Sequence, residues 1–155
     1  MPEKKSIAVI RVRGRTGLRE GRADTMRLLG LTRVNHCVII GISPQMMGMV
    51  KSCKDYITWG EVDKDTLAAL IEKRGRLSGD KKVTEAYLKA NGFDSFGAFA
   101  DGIISGDGKV GMLKLKRVFR LHPPRKGHGG VKVAYPRGAL GNRGAEINGL
   151  IRRMM

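Results

Sequence analysis

The segment Leu28–Gly41, which reads LLGLTRVNHCVIIG, constrains the fold of this chain more than any other. Its pattern is that of a helix end, a glycine stop, a short polar turn and a β-branched strand. Gly30 stands where the residue after a helix takes the left-handed conformation, which glycine adopts without a Cβ penalty. Leu31 can then fold back onto the last helical turn, and a strand begins at Cys37. The pattern therefore predicts a polar turn held in place beside a helix end.

Residues 1–62 are predicted to form a β-α-β-α-β core that carries an RNA-binding surface. Alternation over residues 6–13 places Ala8, Ile10 and Val12 on one side of a strand, so that only one face is apolar. Ser43 is a candidate N-cap with Pro44 at the first helical position. We expect an α/β (α+β) fold, a small sheet with helices on one face. The expected strands are 6–13, 37–40 and 56–62, and the expected helices are 20–29 and 44–54.

The rest of the chain divides into two regions of different composition. Residues 63–108 are predicted to be a helical bracing region, with a first helix capped by Asp63 and two shorter helical segments after it. Residues 109–155 are predicted to be a basic extension with a strand at 112–121 and a closing helix at 147–154. Between these two elements, residues 122–143 have few apolar side chains. We expect them to form a basic loop without a core of its own, tethered at both ends.

The charge of +16 is distributed very unevenly along the chain. Residues 1–35 contain nine Lys/Arg and three Asp/Glu, a net of +6, whereas residues 36–108 contain nine and ten, a net of −1. Residues 109–155 contain twelve Lys/Arg and one Asp/Glu, a net of +11. Such self-repulsion disfavours a compact protein unless a polyanion relieves it. Two basic ends around a neutral middle therefore favour a nucleic acid as the partner.

The composition also indicates how an RNA would be bound. Arginines outnumber lysines in both basic ends, and a guanidinium can form paired hydrogen bonds to phosphate oxygens. Aromatic residues make up only 5% of the chain, so stacking on single-stranded bases is not expected to dominate. Contacts to the phosphates of folded, A-form RNA fit this composition better.

No pattern in the sequence predicts catalysis, a metal or a cofactor. The stretch Gly106–Gly111 matches G-x-G-x-x-G, but a strand-like run follows it, and no acidic residue lies between Asp107 and Glu146 to hold a ribose. The three histidines lack metal-site spacing, and the two cysteines form no C-x-x-C motif. No apolar run reaches 18 residues, so we expect no membrane-spanning helix. A nucleotide-dependent enzyme that uses the glycine motif is kept as the weaker alternative.

Several short motifs resemble the large-subunit ribosomal protein family called L-thirty in bacteria and archaea and L-seven in eukaryotes. LLGLTRVNHCVII resembles its LGL-x-R-x-N segment, Ser43-Pro44 with Gly48 and Met49 follow in the right order, and GNRGAEINGLIRRMM resembles the close of the archaeal form. The resemblance implies an antiparallel three-stranded sheet related to the ferredoxin-like fold. It also implies no catalytic activity. Arg33 and Asn35 match the family motif, so the resemblance implies that they contact RNA.

We therefore expect a structural constituent of the large ribosomal subunit, in the cytoplasm, whose partners are rRNA and neighbouring ribosomal proteins. A free-standing RNA chaperone or nucleic-acid-binding module is the alternative. We expect neither a membrane nor a small-molecule substrate. The candidate RNA-binding residues are Arg11, Arg13, Arg15, Arg19, Arg22, Arg33, Asn35, Lys114, Lys116, Arg117, Arg120, His122, Arg125, Lys126, His128, Lys132, Arg137, Asn142 and Arg143.

Overall fold

Strand β1 (Ser6–Arg11) lies third in a six-stranded sheet. The computed structural model describes residues 6–105 and 115–155. Its strands after β1 are β2 (His36–Gly41), β3 (Ile57–Glu61), β4 (Val118–Arg120), β5 (Gly130–Ala134) and β6 (Gly138–Asn142). Their order across the sheet is β4-β2-β1-β3-β6-β5. Its helices are α1 (Glu20–Leu29), α2 (Pro44–Ser52), α3 (Lys64–Arg74), α4 (Glu85–Ala90), α5 (Phe96–Ser105) and α6 (Ile147–Met154), with a short 3-10 helix at Gly144–Glu146. No helix among these residues is long and apolar enough to cross a membrane.

The antiparallel arrangement of β1, β2 and β3 confirms the expected centre of the sheet. β1 pairs antiparallel with β2, with Ala8 opposite Ile39, and antiparallel with β3, with Val9 opposite Trp59. β4 then pairs antiparallel with the outer side of β2, and β6 runs parallel to β3. The sheet is thus twice as wide as predicted, because two strands beyond residue 120 join it on the β3 side and one joins it on the β2 side.

The two helices of the predicted core, α1 and α2, cover one face of the sheet as expected. These helices pack on the face that carries Ile7 and Val9. Residues of α3, α5 and α6 pack on the other face, against Ala8 and Ile10. Every residue of β1 is buried, including Arg11, so the strand is enclosed on both faces. The alternating pattern misled the prediction because Ile7 and Val9 are as apolar as the residues between them.

The helix stop at Gly30 is confirmed. Its φ of 87° is left-handed, and its N–H donates to the Arg27 carbonyl at 3.0 Å. Leu31 folds back as expected, since it is fully buried and its N–H donates to the Met26 carbonyl at 2.8 Å. A Cβ at position 30 would lie 3.1 Å from Val118 Cγ2. The turn is therefore fixed both by its backbone conformation and by its contact with β4.

The other two predicted caps have different outcomes. Ser43 caps α2 as expected, because its hydroxyl accepts a hydrogen bond from the Met46 N–H at 3.2 Å. Asp63 occupies the N-cap position of α3, but its side chain makes no capping hydrogen bond. Its own N–H instead donates to Asn148 Oδ1 at 2.9 Å, and the Asn148 amide donates to the Glu61 carbonyl at 3.1 Å. The closing helix α6, predicted at 147–154, is thereby bound to the end of β3.

The prediction of a loop without a core over residues 122–143 is wrong for its last third. Ala139 and Leu140 of β6 are buried together with Val12, and the Arg143 N–H donates to the Trp59 carbonyl at 2.8 Å. The close approach of the following 3-10 helix needs Gly60, because a Cβ there would lie 2.1 Å from the Gly144 carbonyl oxygen. Small residues let this segment pack tightly against β3, so few apolar side chains suffice. β5, in contrast, is exposed along its whole length and pairs irregularly with β6.

Two other sequence predictions extend into residues 106–114. The strand predicted at 112–121 is β4 over its last part, Val118–Arg120, and its beginning lies outside the described residues. The glycine motif Gly106–Gly111 also lies outside them.

We predict that Gly30→Ala lowers the free energy of unfolding by about 1 kcal/mol or more, because it forces a Cβ into the left-handed region against Val118. Gly48→Ala is the matched control. Gly48 lies inside α2, where an added Cβ would meet no heavy atom within 4 Å, so alanine should be neutral or stabilising there. Thermal unfolding followed by circular dichroism measures both. Equal melting temperatures for the two variants would contradict the role of Gly30.

Hydrogen exchange of the protein without RNA should divide the basic extension into two parts. We expect amides of residues 139–143 to exchange more slowly than those of 131–133, since β6 lies in the sheet and β5 is exposed. Mass spectrometry of peptides covering each segment measures this difference. Equally fast exchange in both segments would show that β6 does not pair stably with β3 in solution.

Candidate nucleic-acid interface

The polar turn Thr32–Asn35 is held at the end of β1 by backbone hydrogen bonds. The Asn35 N–H donates to the Arg11 carbonyl at 2.9 Å, and the Leu121 N–H donates to the Asn35 carbonyl at 3.2 Å. Asn35 itself has a φ of 67°, a left-handed conformation that asparagine tolerates better than most residues. These bonds join the turn to β1 and to the residue after β4, and they leave Arg33 exposed.

A cleft opens beside this turn. One part has a volume of about 370 Å³, and a second part of about 360 Å³ shares Arg11, Arg15 and Thr32 with it. We call the two together the turn cleft. The residues that line it are Arg11, Gly14, Arg15, Leu18, Ala23, Asp24, Arg27, Leu31, Thr32, Arg33 and Val34. Four of these are arginines, and Asp24 accepts a hydrogen bond from Arg27 at 2.9 Å. The cleft therefore presents an excess of positive charge.

Arg11 forms the inner wall of the turn cleft. Only 3% of its surface is exposed, and its Nε donates to the Arg13 carbonyl at 2.9 Å while Nη1 donates to the Leu31 carbonyl at 2.8 Å. Its Nη2 is buried without a hydrogen-bond partner among the described residues. Burial lowers the pKa of the guanidinium, and the nearby charge of Arg15 lowers it further. The side chain therefore links the end of β1 to Leu31, the residue after the helix stop.

Some of the other predicted basic side chains in residues 1–62 are exposed, and others contact neighbouring residues. Arg15, Arg19 and Arg33 are exposed. Arg13 lies over the Tyr56 ring, with its guanidinium carbon 5.1 Å from the ring centroid, and Arg22 pairs with Asp55 at 3.8 Å. Arg13 and Arg22 thus approach the turn between α2 and β3 and not the turn cleft.

Residues 122–129 are folded onto the end of α6 and onto the turn. The His122 N–H donates to the Met154 carbonyl at 3.2 Å, and the Arg125 N–H donates to the Arg153 carbonyl at 3.1 Å. His128 Nε2 lies 3.5 Å from Asn35 Oδ1. Burial lowers the pKa of His128, and the charges of Arg143 and Arg153 add to this effect. The structure therefore brings His128 and Asn35 together, two residues that are 93 positions apart in the sequence.

The predicted residues beyond position 129 fall into an exposed and an internal group. Lys132 and Arg137 are exposed, as are Arg125, Lys126, Arg117 and Arg120 before them. Arg143 is used within the protein, because its Nε donates to Thr58 Oγ1 at 3.0 Å and its Nη2 donates to the Ala139 carbonyl at 3.1 Å. Asn142 is exposed, and its Oδ1 accepts a hydrogen bond from the Gly144 N–H at 2.9 Å. Lys114 lies outside the described residues.

A second cleft, of about 250 Å³, contains two predicted residues and two that sequence reasoning missed. Its lining residues are Arg74, Arg76, Asp80, Lys116, Val118 and Arg120. Lys116 and Arg120 are among the predicted residues, whereas Arg74 and Arg76 are not. Arg153 is also missed by the sequence pattern, although its Nη1 donates to the carbonyls of Arg125 and Gly127 at 3.3 Å each. No group of three or more His, Cys, Asp or Glu side chains in the described part of the chain could hold a metal ion.

The fold and its clefts define an α+β protein with a polycationic surface, of the kind that binds nucleic acid through phosphates. Comparison with known proteins agrees. Residues 7–57 match the family model described as Ribosomal protein L30p/L7e. The "Large ribosomal subunit protein uL30" of Methanococcus maripaludis is 51% identical over 153 residues, which cover 97% of this chain and 99% of the relative. The proteins of the same name from Methanococcus vannielii and Methanosphaera stadtmanae are 48% and 46% identical, over 97% and 96% of this chain and 99% of each relative. The chain belongs to the L30p/L7e ribosomal protein family.

We predict that Arg11→Ala destabilises the protein while Arg15→Ala does not. Removing Arg11 leaves the Leu31 and Arg13 carbonyls without their donor, which costs roughly 1–3 kcal/mol. The exposed Arg15 should change stability by less than about 0.5 kcal/mol. Urea unfolding of the two variants provides the comparison. If Arg11→Ala unfolds at the wild-type urea concentration, the guanidinium is not a structural link.

Proposed function

We propose that this protein is a structural constituent of the large ribosomal subunit that binds and stabilises folded rRNA through contacts from Arg and Lys to phosphates. Membership of the L30p/L7e family carries this proposal, because full-length relatives about half identical to this chain bear the name of a large-subunit protein. Neighbouring ribosomal proteins are the other partners we propose. Its place of action is then the ribosome in the cytoplasm.

The turn cleft supports a specific part of this proposal. Arg33 is exposed on a turn whose backbone is hydrogen-bonded to β1, to the first residue of β2 and to the residue after β4, so its guanidinium can meet a phosphate with little loss of backbone freedom. Arg15 lies on the same cleft, and the buried Arg11 adds positive potential from its wall. We propose Arg15, Arg33 and Asn35 as the central contacts, with the exposed basic residues of the extension around them. Arg11 and Arg143 support the surface, since their hydrogen bonds are internal.

The family is one of ribosomal structural components, and we propose that the protein has no catalytic activity and needs no cofactor or small-molecule substrate. A free-standing RNA chaperone would use the same surface chemistry. Sedimentation separates the two functions, because a subunit constituent stays with large subunits through salt washes that remove loosely bound factors. A melting temperature raised by ATP or NAD would instead support the nucleotide-dependent alternative.

We predict that affinity for large-subunit rRNA falls steeply with salt and that Arg33→Ala weakens binding at unchanged stability. Each phosphate contact releases condensed counterions, so losing one contact should reduce the slope of log K against log salt by about 0.7–0.9. Filter binding at several salt concentrations, with rRNA transcribed from Methanococcus maripaludis, measures the slope. Affinity independent of salt would overturn the phosphate-contact mechanism.

Lys89→Ala is the control for the Arg33 experiment. Lys89 is exposed on α4, in the neutral middle region, and lines neither cleft. The substitution Lys89→Ala removes the same net charge as Arg33→Ala. Equal losses of affinity in the two variants would show that total charge, and not the position of Arg33, determines binding.

A further inference from the structure

The second cleft has the composition of an oxyanion site. It lies where the end of α3 meets the flanks of β4, with Arg74 and Arg76 on one side and Lys116 and Arg120 on the other. Lys116 is fixed to the first side by its backbone, because its N–H donates to the Arg76 carbonyl at 2.8 Å. Four cationic side chains therefore share a space of about 250 Å³ with a single carboxylate, that of Asp80.

Asp80 shows that a carboxylate group can be held among these cations. Lys116 Nζ donates to its Oδ1 at 2.5 Å, and Arg120 Nη2 lies 3.9 Å from the same atom. The hydrogen bond from Lys116 lowers the pKa of the Asp80 carboxyl, and the charges of Arg120 and Arg76 contribute as well. The Asp80 side chain is nevertheless 55% exposed, so solvent anions can compete for its partners. One carboxylate leaves most of the local positive charge unbalanced.

A set of contacts links the second cleft to the turn cleft. Arg120 is the cross-strand partner of His36 in the β2–β4 pair, and the His36 N–H donates to the Arg33 carbonyl at 3.3 Å. Val118, which lines the second cleft, also faces Gly30 at the helix stop. Burial lowers the pKa of His36, and the charges of Arg120 and Arg33 lower it further, as expected for a residue between two cationic groups.

We propose that the two clefts are the ends of one basic track along the β4 edge of the sheet, which binds a single continuous stretch of RNA. The track consists of Arg15, Arg33, Arg120, Lys116, Arg76 and Arg74. This inference rests on the proposed function and adds Arg74 and Arg76 as phosphate contacts. In the protein without RNA, Asp80 holds Lys116 and Arg120 in position, and phosphate takes over this role when RNA binds. Two unrelated RNA segments, one in each cleft, are the competing outcome.

The first experiment compares two double variants that remove the same charge. Arg74→Ala/Arg76→Ala should reduce the salt slope of binding to Methanococcus maripaludis large-subunit rRNA by about 1.4–1.8, because two phosphate contacts are lost. Lys51→Ala/Lys89→Ala is the control, since both lysines are exposed and line neither cleft. Equal slopes for the two double variants would overturn the contact role of Arg74 and Arg76.

A third variant guards against misfolding. Arg74→Lys/Arg76→Lys keeps both charges and should restore most of the slope, although a lysine lacks the paired donors of a guanidinium. If the lysine variant keeps the wild-type melting temperature but binds with the slope of the alanine variant, charge at these positions does not determine the contact, and the track is overturned.

The second experiment tests whether one RNA stretch occupies both clefts. Ser78→Cys, near Asp80, and Thr16→Cys, near Arg15, each place an exposed thiol for a tethered iron chelate, whereas the native Cys37 and Cys53 are buried. Hydroxyl radicals from the two positions should cleave the same rRNA helix at neighbouring nucleotides. Cleavage in two separate helices would overturn the single track. Wild-type protein treated with the same reagent controls for labelling of the native cysteines.

The proposed function and the track fail in different ways. Wild-type binding that does not depend on salt would remove the proposed function together with the track. Only the track would be removed if wild-type binding depends steeply on salt while Arg74→Ala/Arg76→Ala and the control Lys51→Ala/Lys89→Ala have equal salt slopes.

Discussion

The enclosure of β1 on both faces is the constraint on which the rest of this structure depends. A central strand with apolar side chains on both sides needs a layer of helices on each face. Helices α1 and α2 form one layer, and helices α3, α5 and α6 form the other. Strands β2 and β3 pair with its two edges, so β1 meets the surrounding loops only where it ends, at Arg11. The polar turn and the residue after the helix stop both bond to this end, and the residue after β4 bonds to the turn. The turn cleft is therefore built on a strand that is packed on both faces and paired on both edges, which suits a binding site.

Local signals account for the part of the fold that the sequence predicted well. The glycine stop of α1 and the Ser43 cap of α2 are each decided by a few neighbouring residues, so their positions could be read directly. β6 could not, because Gly138–Asn142 contains two glycines and no β-branched residue, and its place depends on a parallel partner some 80 residues earlier. The helices of the second layer were predicted, but the face on which they pack was not, since alternation within β1 gives no sign that both faces will be covered.

The sequence predicted the exposure of the candidate residues only in part. Arg33 is exposed on the polar turn, whereas Arg11, which was predicted from charge alone, is buried with two backbone carbonyls as acceptors. Counting charge by region hid Arg74 and Arg76, because acids elsewhere in residues 36–108 cancel them in the total although the fold places them beside Lys116 and Arg120. Net charge identifies the class of partner. The position of a cluster depends on the tertiary structure.

Acidic residues beside the basic surface limit its self-repulsion and leave it ready to bind. Asp24 pairs with Arg27, Asp55 with Arg22, and Asp80 with Lys116, and these three carboxylate side chains are 55%, 57% and 55% exposed. Pairs this exposed contribute only about 0–1 kcal/mol each, so they limit self-repulsion without holding the cations tightly. A phosphate can replace such a carboxylate at little cost and keep the cation in the same orientation. RNA binding would then require an exchange of anions on a surface already formed and no rearrangement of the sheet beneath it.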